Sequence, residues 1–155
     1  PFPWLSPRMV KKVCVDASLA LMLLVTEELT PRAKSLWRFW SEEAFELVTA
    51  PLFFAEVTSV LREQVHFRRL LPEEGDAAFE TFMQLGIVSM EASHLQPRAW
   101  ALAKKYNRPK AYDAQYLAVA DALGCDLWTA DHRLANAIDE PWLRWVGDYE
   151  PSPAL

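Results

Sequence analysis

Four carboxylates interrupt otherwise apolar patterns in the sequence: Asp16, Glu56, Asp113 and Asp131. Asp16 and Asp131 each end a short apolar run that is typical of a buried strand. Glu56 and Asp113 lie at helical spacing from apolar neighbours, so each shares a core-facing stripe. Burying a carboxylate there is unfavourable unless it is paired or coordinated. Because no lysine or arginine stands beside Glu56 or Asp113 on these stripes, we expect the four to converge on a divalent cation.

The donor atoms of such a site determine which cation it would hold. Ligation by oxygen alone selects a hard ion, so we expect Mg²⁺ or Mn²⁺ rather than zinc. Such an ion lowers the pKa of bound water and stabilises charge on a phosphoryl group. This chemistry requires no histidine. We expect His132 to lie on a helix surface, and we assign no role to His66 or His94.

Each carboxylate also has a simpler structural explanation. Asp131 could cap the helix that follows it, and Asp113 could be a first-turn charge favoured by the helix dipole. Asp16 could be a solvated turn residue, and Glu56 could reach water from the edge of its helix face. All four explanations must hold together before the site can be dismissed.

The elements that would position these residues alternate between short apolar runs and longer helical patterns. We predict strands at 13–15, 46–49, 87–90, 125–129 and 142–146. We predict helices from residue 19 onward with Ser18 as its N-cap, from Thr30-Pro31 onward, and at 51–70, 72–85, 95–106, 112–123 and 131–138. Strands separated by helices indicate a mainly parallel sheet with helices on both faces. Such sheets bind ligands at the carboxyl ends of their strands, where Asp16 and Asp131 fall.

Composition limits the class of protein. The 155 residues fit one domain, and 52% hydrophobic with 24% charged residues is globular composition. A net charge of −5 disfavours a protein that coats nucleic acid, although an acidic nuclease site remains compatible with it. The chain has four glycines and no glycine-rich phosphate-binding motif. Two cysteines without a CxxC motif indicate a reducing, cytoplasmic compartment, and no apolar run is long enough to span a membrane.

The ends of the sequence differ from its middle. Residues 1–10 are rich in proline and are expected to form a flexible N-terminal arm. Residues 11–147 contain all the predicted strands and helices, and we expect them to form the functional domain. Residues 148–155 are expected to be a C-terminal tail.

Four segments carry a family resemblance when they are taken in order. They read Val-Asp-Ala-Ser, Ala-Glu-Val-Thr-Ser-Val-Leu, Tyr-Asp-Ala-Gln-Tyr-Leu-Ala-Val-Ala and Leu-Trp-Thr-Ala-Asp-His-Arg-Leu. With this order the chain resembles the PIN-domain family over about residues 11–147, and most of all the VapC-like toxins of prokaryotic toxin–antitoxin pairs. The proline-rich arm is the one departure from the family pattern.

The resemblance implies a fold, an activity and a site. The fold is a three-layer α/β/α sandwich with a central, mainly parallel, Rossmann-like sheet. The activity is metal-dependent endoribonuclease cleavage of single-stranded RNA or structured RNA loops. The acidic positions of the family carry over to Asp16, Glu56, Asp113 and Asp131, and its polar helpers to Ser18 and Thr129.

Partners are indicated by two further features. Residues 19–25 are apolar on every side, which fits either an internal core helix or an interface. The resemblance implies a homodimer and a cognate antitoxin. Five basic residues near the predicted site are either phosphate contacts or ordinary solvated charges: Lys104, Lys105, Arg108, Lys110 and Arg133.

Two other functions are alternatives to the nuclease. One is a PIN-like module with a weak or inactive site that binds RNA or regulates; the complete acidic set argues against it. The other is an aspartyl phosphotransfer enzyme or receiver domain. Haloacid-dehalogenase-type enzymes need a DxD motif after the first strand, and the sequence there reads Asp16-Ala17-Ser18.

Overall fold

A computed structural model describes residues 10–153 and contains one five-stranded sheet. Every pair of neighbouring strands is parallel, and the order across the sheet is β3-β2-β1-β4-β5. The strands are β1 (Lys12–Val15), β2 (Glu46–Thr49), β3 (Val88–Ser89), β4 (Leu127–Thr129) and β5 (Leu143–Trp145).

Seven α-helices among the described residues connect and cover these strands. They are α1 (Ala17–Leu24), α2 (Thr30–Glu42), α3 (Leu52–His66), α4 (Pro72–Met83), α5 (Leu95–Lys105), α6 (Tyr112–Leu123) and α7 (His132–Ala137). Helix α1 packs against α2, α3 and α4, whereas α5 packs against α6. This is the three-layer α/β/α sandwich predicted from the sequence, with a parallel sheet at its centre.

The strand order places a topological switch at the first strand. Strand β1 pairs with β2 on one side and with β4 on the other, and Val15 lies opposite Trp128 in the register of β1 and β4. The connection after β1 leads to β2 and the connection after β4 leads to β5, in opposite directions along the sheet, which opens a crevice at the carboxyl ends of β1 and β4. Asp16 and Asp131, which follow these two strands, therefore lie at neighbouring positions.

The core explains why the switch point is rigid. Val13, Cys14 and Val15 of β1 are fully enclosed, and Leu127 of β4 lies beside them. Helix α6 covers this region with the buried run of residues 116–120, so its N-terminal turn is fixed above the carboxyl end of β1. Burial of this kind raises the pKa of the Cys14 thiol, which keeps it neutral, and both cysteines are free.

Most predicted elements are confirmed, although several boundaries differ. Strand β2 and helix α6 have the predicted limits, and Gly124 caps α6 in the left-handed region at φ 62°. Helix α3 ends at His66 instead of residue 70, because Arg68 adopts φ 58° and the chain leaves the helical path. Strand β3 shrinks to Val88–Ser89, since it pairs on one side only, along β2.

The prediction that Ser18 caps α1 is wrong. The cap is Asp16, whose side chain accepts the backbone N–H of Leu19, and Ser18 already lies inside the helix. Both residue types favour the cap position, so their preference could not distinguish them. The strand ends at Val15 as predicted, and α1 begins directly after Asp16.

The expected N-terminal arm falls outside the described residues, apart from the exposed Val10. At the other end, residues up to 153 are described. Within the predicted tail, the ring of Tyr149 meets that of Trp128 edge to face at 5.9 Å. The Arg32 guanidinium donates a 2.6 Å hydrogen bond to the Tyr149 carbonyl. Among the described helices, none has the length and apolar character needed to cross a bilayer.

Candidate active site

Asp16 is a buried carboxylate at the junction of β1 and α1. Its side chain is 5% exposed, and Oδ1 accepts hydrogen bonds from the Leu19 amide at 2.9 Å and the Ser18 hydroxyl at 2.7 Å. Burial raises the pKa of Asp16 to about 6, although hydrogen bonds from Thr129, Ser18 and Leu19 favour its charged form. The negative charge of Asp113 contributes to this rise. The solvated-turn explanation for Asp16 is therefore excluded.

Ser18 and Thr129 connect this carboxylate to the second strand end. Ser18 Oγ donates to Asp16, lies 3.1 Å from Thr129 Oγ1 and accepts the Ala130 amide at 3.0 Å. Either hydroxyl could be the donor in the contact between Ser18 and Thr129, and the Thr129 hydroxyl also favours the charged form of Asp16. The Asp131 amide donates in turn to Thr129 Oγ1 at 3.0 Å.

These contacts form a hydrogen-bond chain that links the Asp131 amide, through the hydroxyls of Thr129 and Ser18, to the Asp16 carboxylate. Both hydroxyls stabilise the charged form of Asp16 against the effect of burial. The chain also fixes the ends of β1 and β4 relative to each other. Ser18 and Thr129 thus lie where supporting residues of an acidic site would be expected.

Asp131 caps helix α7. Its Oδ1 accepts the amides of Arg133 at 3.0 Å and Leu134 at 3.3 Å. The simpler structural explanation for this residue is therefore correct, but it involves only one of the two carboxylate oxygens. Oδ2 of Asp131 accepts no hydrogen bond from the part of the chain that the structure describes, so it remains available to a ligand.

Glu56 has a partner that sequence reasoning missed. The phenol of Tyr116 on α6 donates a 3.0 Å hydrogen bond to Glu56 Oε1 across the gap between α3 and α6. Partial burial raises the pKa of Glu56, the Tyr116 bond lowers it, and the charge of Asp113 raises it. Burial, followed by the Glu56 charge, raises the pKa of Tyr116, so this phenol stays a proton donor. Tyr116 holds Glu56 toward the site.

Asp113 lies in the first turn of α6 and acts on the carboxylates of Asp16 and Glu56. Its charge raises the pKa of Asp16 and of Glu56, which places the three side chains within electrostatic reach of one another. No lysine or arginine stands beside Asp113 on its helix stripe, but Arg108 Nη2 lies 3.5 Å from Asp113 Oδ2. Arg108 precedes the helix in the loop, so an inspection of helix stripes could not find it.

The donor chemistry of the site suits a hard divalent cation. Asp16, Glu56 and Asp131 are in no ion pair of residues 10–153, and two of them have raised pKa values. Across the same range, no three His, Cys, Asp or Glu side chains lie close enough together to form a metal-binding group. Mg²⁺ usually binds through one or two carboxylates and keeps several waters. The site therefore fits ligation by a carboxylate pair with water, and the predicted four-carboxylate set stays a prediction.

The predicted basic residues occupy different surroundings. Lys104, Arg108 and Lys110 line one pocket beside Asp113. Lys105 points elsewhere, since its ammonium lies 3.8 Å from Glu140 and over the ring of Tyr106. Arg133 is exposed on α7, next to Asp131.

His132 is on the surface of α7, as predicted. Its ring stacks on Trp145 with the centroids 3.9 Å apart. The stacking joins the start of α7 to the end of β5, which supports the position of Asp131.

Comparison with known proteins agrees with this arrangement. The model of the PIN domain family matches residues 13–139. VapC ribonuclease Mb0985 of Mycobacterium bovis is 34% identical over 125 residues, covering 80% of this chain and 89% of the relative. Ribonuclease VapC3 of Pyrobaculum aerophilum is 35% identical over 131 residues, covering 81% and 93%.

Solved structures show the same fold. PAE2754 from Pyrobaculum aerophilum superposes with a TM-score of 0.65 at 20% identity and covers 90% of this chain and 93% of its own. Mycobacterium tuberculosis VapC20, described as a sarcin-ricin loop cleaving toxin, superposes with a TM-score of 0.61 at 19% identity. The match covers 85% of this chain and 98% of VapC20. VapBC2 from Rickettsia felis, solved with a promoter DNA fragment, superposes with a TM-score of 0.62 at 9% identity. The match covers 86% of this chain and 96% of the other. The family model and the two relatives above 30% identity together show that this chain belongs to the PIN-domain family, in its VapC-like group.

Proposed function

We propose that this protein is a divalent-metal-dependent endoribonuclease that hydrolyses phosphodiester bonds in RNA. The observation that carries the proposal is the hydrogen-bond chain from Asp131 to Asp16, beside Glu56 and Asp113, at the switch point of the sheet. Asp16 is buried and is in no ion pair of the described residues, and Glu56, Asp113 and Asp131 are only partly exposed, so this group of carboxylates fits a hard cation. Relatives at 34–35% identity are named ribonucleases, which gives the reaction class.

The cation, Mg²⁺ or Mn²⁺, would be held by Asp16 with Asp113 or Asp131. When bound, it supplies charge neutralisation at the phosphoryl group and lowers the pKa of water. Water attacks phosphorus, and one P–O bond to a ribose oxygen breaks. Glu56 is positioned by Tyr116 to orient that water or accept its proton. Arg108 is close enough to Asp113 to meet a phosphate of the substrate.

The biological role proposed is that of a toxin that is neutralised by a cognate antitoxin. Support comes from the VapC-like relatives and from the likeness to VapBC2, which is itself a VapBC assembly. A homodimer is proposed as well. Leu19 and Ala20 of α1 are buried, but residues 21–25 are only half-buried, so one chain does not cover this helix completely.

Cleavage of labelled, structured RNAs tests the activity. We expect cleavage in Mg²⁺ or Mn²⁺, none in EDTA, and recovery when metal is added back. An Asp113→Asn variant should be inactive under all of these conditions. Equal cleavage in EDTA would contradict the metal mechanism. Binding of RNA without any cleavage would favour the PIN-like RNA-binding module instead.

A further inference from the structure

A pocket of about 450 Å³ opens between the C-terminal half of α5 and the loop that leads into α6. Its walls include Trp100, Lys104, Asn107, Arg108 and Lys110. Trp100 and Lys104 are four residues apart on α5, so they stand one above the other on the same helix face. The pocket adjoins the candidate active site, because Arg108 also lies 3.5 Å from Asp113.

The pocket is positively charged although the chain as a whole carries −5. Lys104, Arg108 and Lys110 contribute three cations, and no carboxylate is among the lining residues. Within residues 10–153, Lys104 and Lys110 form no ion pair, whereas the adjacent Lys105 is paired with Glu140. Unpaired cations concentrated at one place attract a polyanion locally, while the rest of the surface repels it.

Trp100 adds an aromatic surface to this group of cations. It is 68% exposed, which leaves an indole face to solvent at the rim of the pocket. Single-stranded nucleic acids are bound by this combination, in which cations follow the phosphates and an aromatic ring stacks on a base. A base inside a duplex is already stacked on its neighbours, so it could not use this ring.

We propose that the Trp100 pocket binds an unpaired nucleotide of the RNA substrate, next to the bond that is cleaved. Trp100 stacks on the base, and Lys104 and Lys110 contact the neighbouring phosphates. Arg108 joins the pocket to Asp113, so a nucleotide held here places the adjoining phosphate at the carboxylates. This inference rests on the proposed ribonuclease function and adds the place on the protein, the Trp100 pocket, where an unpaired nucleotide of the substrate is held.

The test measures steady-state cleavage of an unpaired oligoribonucleotide in Mg²⁺ and its binding in EDTA. Trp100→Ala should raise KM and Kd by about 5- to 150-fold with little change in kcat, which is the range found for stacking on one base. Trp100→Phe should recover most of this loss, since a ring remains. Lys104→Gln and Lys110→Gln should each reduce the salt dependence, the slope of log K against log salt, by about 0.7.

Two control variants remove the same groups elsewhere. Phe67→Ala deletes another exposed aromatic ring, and Lys11→Gln deletes a lysine that pairs with Glu43 at the opposite end of β1. Both should cleave RNA as the wild type does. If the wild type cleaves RNA but Trp100→Ala and the lysine variants match it, the pocket proposal is overturned and the ribonuclease assignment stands. If Trp100→Ala instead changes the mass in light scattering with RNA affinity intact, the pocket is a contact between protein chains, and the proposal is equally overturned. If the wild type cleaves no RNA, the proposed function itself fails.

Discussion

At the scale of single residues, the site is governed by the conflict between burial and charge. Asp16 is 5% exposed and is surrounded by donors that favour its charged form, yet burial still raises its pKa to about 6. At neutral pH the protein therefore holds an unfavourable negative charge in its interior. A function that recruits a cation gives a physical reason for retaining that charge.

Replacing Asp16 with asparagine should stabilise the metal-free protein. Asparagine can still cap α1 through its side-chain oxygen, so the cap is retained while the buried charge is lost. We expect the free energy of unfolding at pH 8 in EDTA to rise by about 1–3 kcal/mol, since one pKa unit corresponds to about 1.4 kcal/mol. Urea unfolding of both proteins measures the difference, and cleavage of RNA should be lost.

Adding Mg²⁺ should reverse this comparison. An ion that binds only the folded state stabilises it by about 2.7 kcal/mol at a hundredfold excess over Kd. The wild type should gain this stability, and Asp16→Asn should gain much less. Asp16 would be structural if Mg²⁺ does not stabilise the wild type and if Asp16→Asn melts several degrees lower than the wild type in EDTA.

The stability of the metal-free protein should also depend on pH through Asp16. Its folded-state pKa of about 6 lies above the ordinary value of 3.8, so the folded state binds more protons than the unfolded state between these pH values. The stability that the protonated Asp16 contributes to the folded state is then fully present below pH 3.8 and is lost as pH rises through about 6. In EDTA, Asp16→Asn should exceed the wild type in free energy of unfolding by a small amount at pH 4 and by the largest amount above pH 7. A difference that does not change with pH would contradict the assignment of the shift to Asp16.

At the scale of elements, short helices depend on the residues that begin them. Helix α7 has six residues, and its first turn is held by the two hydrogen bonds to Asp131 Oδ1. Stacking of His132 on Trp145 and burial of Leu134 attach the helix to the sheet. Asp131 therefore has a structural role and a proposed functional role on different oxygens.

Two substitutions at Asp131 separate these roles. Asp131→Ala should lower the free energy of unfolding by about 1 kcal/mol, since the cap is removed. Asp131→Asn keeps an oxygen for the cap, so its stability should stay within a few tenths of a kcal/mol of the wild type while RNA cleavage falls. Thermal melts measure the stability of both variants, and the cleavage assay measures their activity. Full activity in Asp131→Asn would leave only the structural role.

The packing of α3 against α4 depends on a close approach at Gly75. A Cβ atom at this position would overlap Cγ2 of Val65, and Val65 is stiff because it branches at Cβ. Gly75→Ala gains about 0.5–1 kcal/mol of helix propensity but loses about 1–3 kcal/mol through overpacking, so we expect net destabilisation. The double variant Val65→Ala with Gly75→Ala should lose much less than the sum of the two single changes. Strict additivity in chemical denaturation would contradict this account.

At the scale of the whole molecule, the question is whether two copies of the chain associate. One face of α1 is only partly covered by its own chain. A groove of about 640 Å³ lies beside the end of α1, with Leu23 and Leu24 on one side and α4 on the other. A helix that is apolar all round is usually buried on several faces. One chain buries only part of α1, so a second chain is the simplest cover.

Light scattering at micromolar concentration should therefore report twice the mass of one chain. Leu24→Glu should shift the mass toward that of a monomer, because it places a charge on the groove wall. Phe67→Ala, on the exposed end of α3, serves as the control that leaves the mass unchanged. A clean monomer for the wild type would mean that α1 does not support a homodimer.

The sequence predicts some residues of the site much better than others. Asp16 and Asp131 stand out because a carboxylate directly after a buried strand interrupts a local pattern. Tyr116 gives no such signal, since a tyrosine on an apolar stripe is ordinary, and its bond to Glu56 spans 60 positions. The sequence leaves Arg108 open between a phosphate contact and a solvated charge, and its contact with Asp113 depends on the path of the loop before α6.

The sequence by itself determined the alternation of strands and helices and the α/β class, and it predicted the four carboxylates, because these follow from local periodicity and residue type. Only the tertiary structure decided which residue caps α1, which oxygens remain available, and that Lys104 and Lys110 gather with Trp100 while Lys105 does not. These features depend on distances between segments far apart in the chain. Local patterns do not specify such distances, because they result from how whole elements pack around the sheet.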